Sequence, residues 1–153
     1  MRYKAFVALY ALLLRAGQPF VWRYFRKRAT KDPAYLEHSE ERRGQGAPFA
    51  ADVWVHAVSL GEMTSAAPLV RLLLQAGHRV VTTHATPAGR RITEELFAEE
   101  IAAGSLAVRY APIDIPAYWD AFLKGTTPRI GLVMEMEFWP AMIEAAARAK
   151  IPL

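Results

Sequence analysis

The chain has 153 residues, 53% of them hydrophobic, which suits one domain with a real core and makes two complete domains unexpected. It contains no cysteine, so disulfides, thiolate metal sites and cysteine nucleophiles are excluded. The net charge of +4 and the pI near 9.6 suit a nucleic acid, a phosphorylated ligand or an anionic membrane surface as partner.

The amino-terminal segment, residues 1–31, carries many Lys and Arg side chains and no acidic residue. Its apolar run, residues 5–14, is shorter than the roughly 20 residues of a bilayer span, and no signal-peptide cleavage site follows it. Trp22, Tyr24 and Phe25 lie among cations, as in helices at a membrane interface. We therefore expect a membrane-associated helix in residues 1–31. If this helix inserts, its cations favour a cytoplasmic position for the residues that follow.

Two other interpretations of this segment stay open. It can be an ordinary amphipathic helix packed on the domain, or an apolar patch for a protein partner. Nucleic acid as a partner is disfavoured, because the aromatic residues alternate with aliphatic ones and no recognised binding motif occurs.

A polar connector, residues 32–50, precedes the main domain, residues 51–153. Short apolar runs there alternate with helical patterns, which predicts an α/β fold with a Rossmann-like parallel sheet and flanking helices. The predicted strands are 53–58, 79–83, 106–110 and 129–134, and the predicted helices are 61–75, 87–103, 115–123 and 140–149. Residues 151–153 look like the start of a fifth strand, so we expect the natural sequence to continue.

In such sheets ligands collect beyond the carboxyl ends of the strands, so the segments after the strands are the places to search. After the first strand, Ser59 and Glu62 have the spacing of a capping box at a helix start. Glu62 would also lie where the helix dipole stabilises a carboxylate, and it could accept a proton from an attacking hydroxyl. The sequence leaves both roles open, with capping favoured by spacing alone.

After the second strand, Thr86 is a candidate N-cap, Pro87 suits the first helical position, and Gly89 follows. The free NH groups of that helix start, with Arg90 and Arg91 beyond, could also hold a phosphate. His84 is more often a structural hydrogen-bonding residue at such a place than a ligand contact.

After the fourth strand, Glu135 and Glu137 would share one face if the backbone stayed extended. Such a pair needs a cation, a shared proton or a ligand hydroxyl, or else one carboxylate caps the next helix. Asp114, after the third strand, most simply caps the helix that directly follows it. A dinucleotide fingerprint and a Walker phosphate loop are both absent, which disfavours hydride transfer and ordinary ATPases.

Together these motifs resemble those of the 3-deoxy-D-manno-octulosonic acid (Kdo) transferases of lipopolysaccharide synthesis. The resemblance runs through nearly the whole chain, and it lies in the order and spacing of motifs that are individually weak. The motifs are Asp32-Pro33-Ala34-Tyr35, His56-Ala57-Val58-Ser59-Leu60-Gly61-Glu62, Thr86-Pro87-Ala88-Gly89, Pro112-Ile113-Asp114 and Met134-Glu135-Met136-Glu137-Phe138-Trp139-Pro140.

The resemblance implies the truncated amino-terminal, acceptor-binding domain of a GT-B type glycosyltransferase, whose absent second domain binds the donor. It implies inverting, metal-independent transfer of Kdo from CMP-Kdo to a lipid A precursor at the cytoplasmic face of the inner membrane, without a cofactor. Glu62 matches the family's base, and the implied substrate-binding residues are Ser59, Gly61, Thr86, Gly89, Glu135 and Glu137.

Without a donor domain the chain is expected to bind acceptor rather than to catalyse complete transfer. Two alternatives remain. One is a non-catalytic, membrane-associated module that binds a phosphorylated lipid or a protein partner. The other is a different α/β enzyme, such as a methyltransferase, which would require a nucleoside site on this domain itself.

Overall fold

The computed structural model describes residues 2–137 and 139–153, without the side chains of residues 2–5, 7 and 8. Four strands alternate with helices along the described chain. The strands are β1 (Val53–His56), β2 (Val80–His84), β3 (Leu106–Tyr110) and β4 (Ile130–Val133). The helices are α1 (Arg2–Ala29), α2 (Leu60–Gln75), α3 (Pro87–Leu96), α4 (Ala98–Ala102), α5 (Pro116–Thr126) and α6 (Pro140–Arg148), and single 3-10 turns span Pro33–Tyr35 and Glu41–Arg43.

The four strands form one parallel sheet in the order β3-β2-β1-β4. Each strand is separated from the next along the chain by helix, which lets every strand run in the same direction. The predicted α/β fold, with a Rossmann-like parallel sheet and flanking helices, is confirmed.

Two hydrophobic clusters cover the two faces of this sheet, because alternate side chains of a strand point to opposite faces. Trp54 packs with Trp119 and Phe122 of α5 and Met142 of α6. On the other face, the cluster combines Val53 and Val55 with side chains of α2 and with Phe97. The sheet is therefore buried on both faces, as parallel sheets require.

Apart from shifts of one to three residues at the ends of other elements, two features differ from the sequence-based prediction. The helix predicted for residues 87–103 is wrong as a single element, because Phe97 has φ −131° and ψ 30° and divides it into α3 and α4. At this turn of the backbone the Phe97 side chain is fully buried in the core. Residues 151–153 lie beside β4, where Gly131 N donates to Pro152 O at 2.8 Å, but they are not part of a strand.

Helix α1 contacts the domain with one side and exposes the other. Its Gln18 accepts a hydrogen bond from Tyr118 of α5 at 2.9 Å. Large apolar side chains on the other side are exposed, namely Phe6, Leu9, Leu12, Leu13 and Phe20. Of the helices within residues 2–137 and 139–153, none combines the length and apolar character that a membrane crossing requires.

Candidate functional site

The sheet order places two candidate loops next to each other. From β1 the chain adds β2 and then β3 on one side of β1 in the sheet. It then returns to add β4 on the opposite side of β1. This reversal is the topological switch point where ligands of open α/β sheets bind. Ser59 and Glu62, at the start of α2, follow β1, and the loop that carries Glu135 and Glu137 follows β4, so both segments line this point.

Glu62 is fixed in the first turn of α2 by hydrogen bonds with Val58 and Ser59. Ser59 is the N-cap, and its hydroxyl accepts from Glu62 N at 3.3 Å and donates to Glu62 Oε1 at 3.0 Å. Val58 N donates to Glu62 Oε2 at 2.7 Å. The predicted capping box is thus confirmed, with the returning bond made to the residue before the cap.

The carboxylate of Glu62 can still act chemically. Each of its oxygens accepts one hydrogen bond within the described chain, and a carboxylate oxygen has a second lone pair. Gly61, one residue earlier, is exposed, and a Cβ built there would meet no atom within 4 Å. The residue before Glu62 therefore borders open surface.

The start of α3 is locked against the same loop. Thr86 caps α3 through a bond from Gly89 N at 3.2 Å, which confirms the predicted cap, and Thr86 N donates to Val58 O at 3.2 Å. A Cβ on Gly89 would lie 3.1 Å from the carbonyl carbon of Ser59. Glycine at residue 89 therefore allows the two loops to approach closely.

The arginines beyond this helix start do not support the phosphate hypothesis. Arg90 donates to Glu41 at 2.6 Å and to Glu94 at 2.7 Å, and Arg91 pairs with Asp32 at 3.0 Å. Both guanidinium groups are thus held by carboxylates rather than directed to an anion at the α3 amides.

Two histidines support these loops from inside the domain. His84 lies within 2.7 Å of Ala57 O and 3.0 Å of the Thr82 hydroxyl, which confirms its structural role. Burial lowers the pKa of His84 to about 4 and that of His56 to about 3. Both rings are therefore neutral at pH 7, and neither is placed as a cationic ligand contact.

The loop after β4 has a different character. Its backbone turns at Glu135, where φ is +55°, so the condition for two carboxylates on one extended face is not met and that prediction is wrong. Glu135 is exposed, and Glu137 accepts a hydrogen bond from Trp139 Nε1. Phe138, part of the quoted motif, lies outside the described residues.

Asp114 stabilises this second loop. The prediction that it caps the helix directly after it is wrong, because Ile115 takes the N-cap position of α5. Instead Asp114 accepts from Ala141 N at 3.2 Å and Met142 N at 2.9 Å, in the first turn of α6. It also accepts from Trp119 Nε1 at 2.9 Å, and burial raises its pKa. Asp114 is thus a cap contributed from a distant part of the sequence.

The sequence analysis missed two buried charged residues within residues 32–50, Glu41 and Arg42. Glu41 accepts from Arg90 and, at 2.7 Å, from Tyr110 N at the end of β3. The neighbouring Arg42 is only 2% exposed and lies between the rings of Phe25 and Tyr110, at 4.2 and 4.1 Å from their centroids. The polar composition of residues 32–50 suggests that they are exposed. The only local signal for a specific turn is the adjacent opposite charges of Glu41 and Arg42 shortly before Gly44.

Arg42 also lines a cavity of about 520 Å³ between α1 and the carboxyl ends of β2 and β3. Of the predicted site residues, Thr86 lines this cavity, whereas Glu62, Glu135 and Glu137 do not. Among residues 2–137 and 139–153, no three His, Asp or Glu side chains are grouped as metal ligands would be.

Comparison with known proteins decides the family. Residues 25–153 match the family model described as 3-deoxy-D-manno-octulosonic-acid transferase (kdotransferase). The chain belongs to the Kdo transferase family. It is 40% identical over 151 residues to the 3-deoxy-D-manno-octulosonic acid transferase of Bordetella pertussis, an alignment that covers 95% of this chain and 35% of the relative.

A second relative agrees with this assignment. The transferase of the same name from Haemophilus influenzae is 32% identical over 149 residues, which is 94% of this chain and 34% of the relative. The chain therefore spans about a third of the length of these curated Kdo transferases. Its described part supplies the switch point with Glu62 on one side and Glu135 on the other.

Proposed function

We propose that this chain is the acceptor-binding part of a glycosyltransferase that moves Kdo from CMP-Kdo to a lipid A precursor in lipopolysaccharide synthesis. The proposal is supported by family membership and by one observation above the others. Glu62 is buried and held at both carboxylate oxygens, beside an open glycine, at the switch point of the sheet.

In the proposed reaction Glu62 is the general base. Its carboxylate takes the proton of an acceptor sugar hydroxyl as that oxygen attacks the anomeric carbon of Kdo. The new oxygen–carbon bond forms while the bond from that carbon to CMP breaks, and CMP leaves with the bonding electrons. Attack opposite the leaving group inverts the anomeric centre, and no cofactor or metal ion is needed.

The local structure suits this role. The bonds from Val58 N and the Ser59 hydroxyl fix the carboxylate in one orientation, so little reorganisation is needed during proton transfer. The first turn of α2 adds its partial positive charge. Ser59 and Gly61 are proposed to contact the acceptor from this turn, and Thr86 and Gly89 from the adjoining start of α3.

The second acidic loop is proposed to contact substrate from the other side of the switch point. Glu135 is exposed and is available for a hydroxyl or for a group of the donor part. Glu137, bonded to Trp139, holds the loop in shape as well. The donor CMP-Kdo is proposed to bind mainly to a second domain of a GT-B type enzyme.

Helix α1 is proposed to lie on the cytoplasmic face of the inner membrane. Its exposed apolar residues face away from the domain, and exposed cations accompany them, namely Arg15, Arg23, Arg26 and Lys27. Apolar burial and attraction to anionic lipid act together in such helices. We expect sedimentation with vesicles that contain phosphatidylglycerol, and weaker sedimentation with vesicles of phosphatidylcholine alone.

The test of the proposed function is Kdo transfer by the protein in its full-length context. Glu62→Gln keeps the capping shape but is a poor base, so kcat should fall by about 100-fold or more. Glu95→Gln, at an exposed residue of α3, is the matched control and should keep wild-type turnover. Near-normal turnover of Glu62→Gln would contradict the role of Glu62 as the base. If the wild-type protein binds vesicles but transfers no Kdo, a non-catalytic lipid-binding module would be favoured instead.

A further inference from the structure

The guanidinium group of Arg42 is buried without enough partners. Its Nη1 donates to Ala85 O at 3.3 Å, while Nε and Nη2 have no hydrogen-bond partner within residues 2–137 and 139–153. The carboxylate next to it in sequence, Glu41, is bonded to Arg90 and to Tyr110 N instead. A buried donor without an acceptor destabilises the fold, and more so when it is charged.

Arg42 nonetheless keeps its charge. Burial lowers its pKa from 12.5 to about 10, so it is protonated at pH 7. The rings of Phe25 and Tyr110 on its two sides supply cation–π contact but no hydrogen-bond acceptor in the guanidinium plane. The group therefore retains two donors suited to oxygen atoms of an anion, in the fork geometry that favours phosphate.

The cavity that Arg42 lines is otherwise mainly apolar. Its other walls include Leu14, Val21 and Phe25 of α1 and Trp139 beyond β4. The Asp114 carboxylate also lines the cavity, but it is bonded to Trp119 Nε1 and to the first amides of α6. The exposed Arg28 is a second cation in the lining. Apolar walls with two cations are complementary to an amphiphile with an anionic head.

We propose that this cavity binds a phosphate-bearing amphiphile, with the phosphate on Arg42 and the hydrocarbon among Leu14, Val21 and Trp139. The cavity adjoins the catalytic loop through Thr86, which lines the cavity and donates to Val58 O, while Val58 N holds Glu62. An acceptor held there by its phosphate and hydrocarbon would contact Thr86, whose bond to Val58 links the cavity to the turn that holds Glu62. The inference rests on the proposed function for its natural ligand, a phosphorylated lipid acceptor.

The test uses the protein in its full-length context and measures binding by calorimetry without a donor. The probe is decyl phosphate below its critical micelle concentration, with inorganic phosphate and decyl glucoside as the two partial ligands. Decyl phosphate should bind about tenfold or more tightly than either, because charge-assisted hydrogen bonds and apolar burial each contribute more than 1.4 kcal/mol. Equal binding of inorganic phosphate, or of the neutral glucoside, would overturn the proposal.

Two variants locate the site. Arg42→Gln should weaken decyl phosphate binding by about tenfold or more and leave decyl glucoside binding unchanged. Arg43→Gln is the matched control, since it removes the same charge from an exposed neighbour and should bind as wild type does. Decyl phosphate affinities of these two variants within about twofold of each other would contradict the assignment to Arg42.

A third variant keeps the test decisive if Arg42→Gln does not fold. Val21→Trp fills the cavity while Arg42 stays, so decyl phosphate binding should be lost, and wild-type affinity would overturn the proposal. Glu62→Gln separates this inference from the proposed function. This variant should bind decyl phosphate as wild type does and lack Kdo transfer. If the wild-type protein binds decyl phosphate as predicted but never transfers Kdo, the proposed function is refuted and the cavity proposal stands.

Discussion

The loops on the two sides of the switch point are built differently. Residues 57–62 and 84–89, the paired β1–β2 loops, are joined by bonds from Thr86 and Ala85 to Val58 O and by the close approach of Gly89 to Ser59. Residues 134–137 with Trp139, the β4 loop, include the exposed Met136 and a positive φ at Glu135. The paired β1–β2 loops are bonded to each other, whereas the β4 loop is joined to β1 by the bond from Met134 N to His56 O and by the packing of Trp139 on His56.

This difference matches two tasks of a group-transfer site. A base must be held in one orientation, which buried hydrogen bonds achieve. A loop that contacts substrates or a second domain can remain more exposed until those partners are present. The contrast therefore supports the proposal that Glu62 carries the chemistry and Glu135 contacts substrate.

The largest expected effect is a loss of stability in acid, caused by the two histidines buried beneath the paired β1–β2 loops. His56 and His84 are protonated in the unfolded chain below pH 6.5 but stay neutral in the folded chain down to their lowered pKa values of about 3 and 4. Stability is therefore full above pH 6.5 and falls as pH decreases, by about 2 kcal/mol per histidine at pH 5.

Urea unfolding between pH 7 and pH 5 measures this loss. Asp114 acts in the opposite direction, since its raised pKa makes the folded state take up a proton first as pH falls. An unfolding midpoint independent of pH from 7 to 5 would contradict the account of the two buried histidines.

Asp114→Ala should come next in size and should loosen the β4 loop selectively. The change removes the cap of α6 and leaves Trp119 Nε1 without its buried acceptor, which costs about 3 kcal/mol together. Asp120→Ala, at an exposed residue of α5, should cost about 0.5 kcal/mol or less. Amide hydrogen exchange should accelerate in residues 139–142 and not in 57–62; equal acceleration in both would remove the contrast between the loops.

Gly89→Val should have a smaller effect, and it should act on the paired β1–β2 loops. The added side chain meets the Ser59 backbone at about 3.1 Å, and such overpacking costs about 2 kcal/mol. Gly61→Val is the control, because a Cβ there meets nothing within 4 Å. Thermal unfolding should separate the two variants by several degrees, and equal melting temperatures would mean that the loops are not locked together.

Much of this fold follows from local patterns in the sequence. Alternation of apolar strands with helical segments predicts the parallel sheet, and the spacing of Ser59 with Glu62 and of Thr86 with Pro87 predicts two helix caps that the structure confirms. These features depend on residues within a few positions of each other. Short-range chemistry is sufficient for them.

The features that the sequence does not predict depend on distant contacts. Asp114 caps α6 rather than α5, because folding brings it to amides 27 and 28 residues away. Glu41 and Arg42 look like part of a polar connector, yet the end of β3 and the ring of Phe25 bury them. The backbone turn at Glu135, where φ is +55°, likewise has no signal in the local spacing, so the geometry of the second acidic motif could not be predicted from it.

The most direct test compares Glu62→Gln with Glu135→Gln in single-turnover Kdo transfer by the full-length protein, with acceptor affinity measured on the same preparations. Glu62→Gln should lower the transfer rate about 100-fold or more with acceptor affinity unchanged. Glu135→Gln should retain a rate within about tenfold of wild type and show its effect in substrate binding. The reverse order, with the larger loss of rate at Glu135, would contradict the assignment of Glu62 as the base.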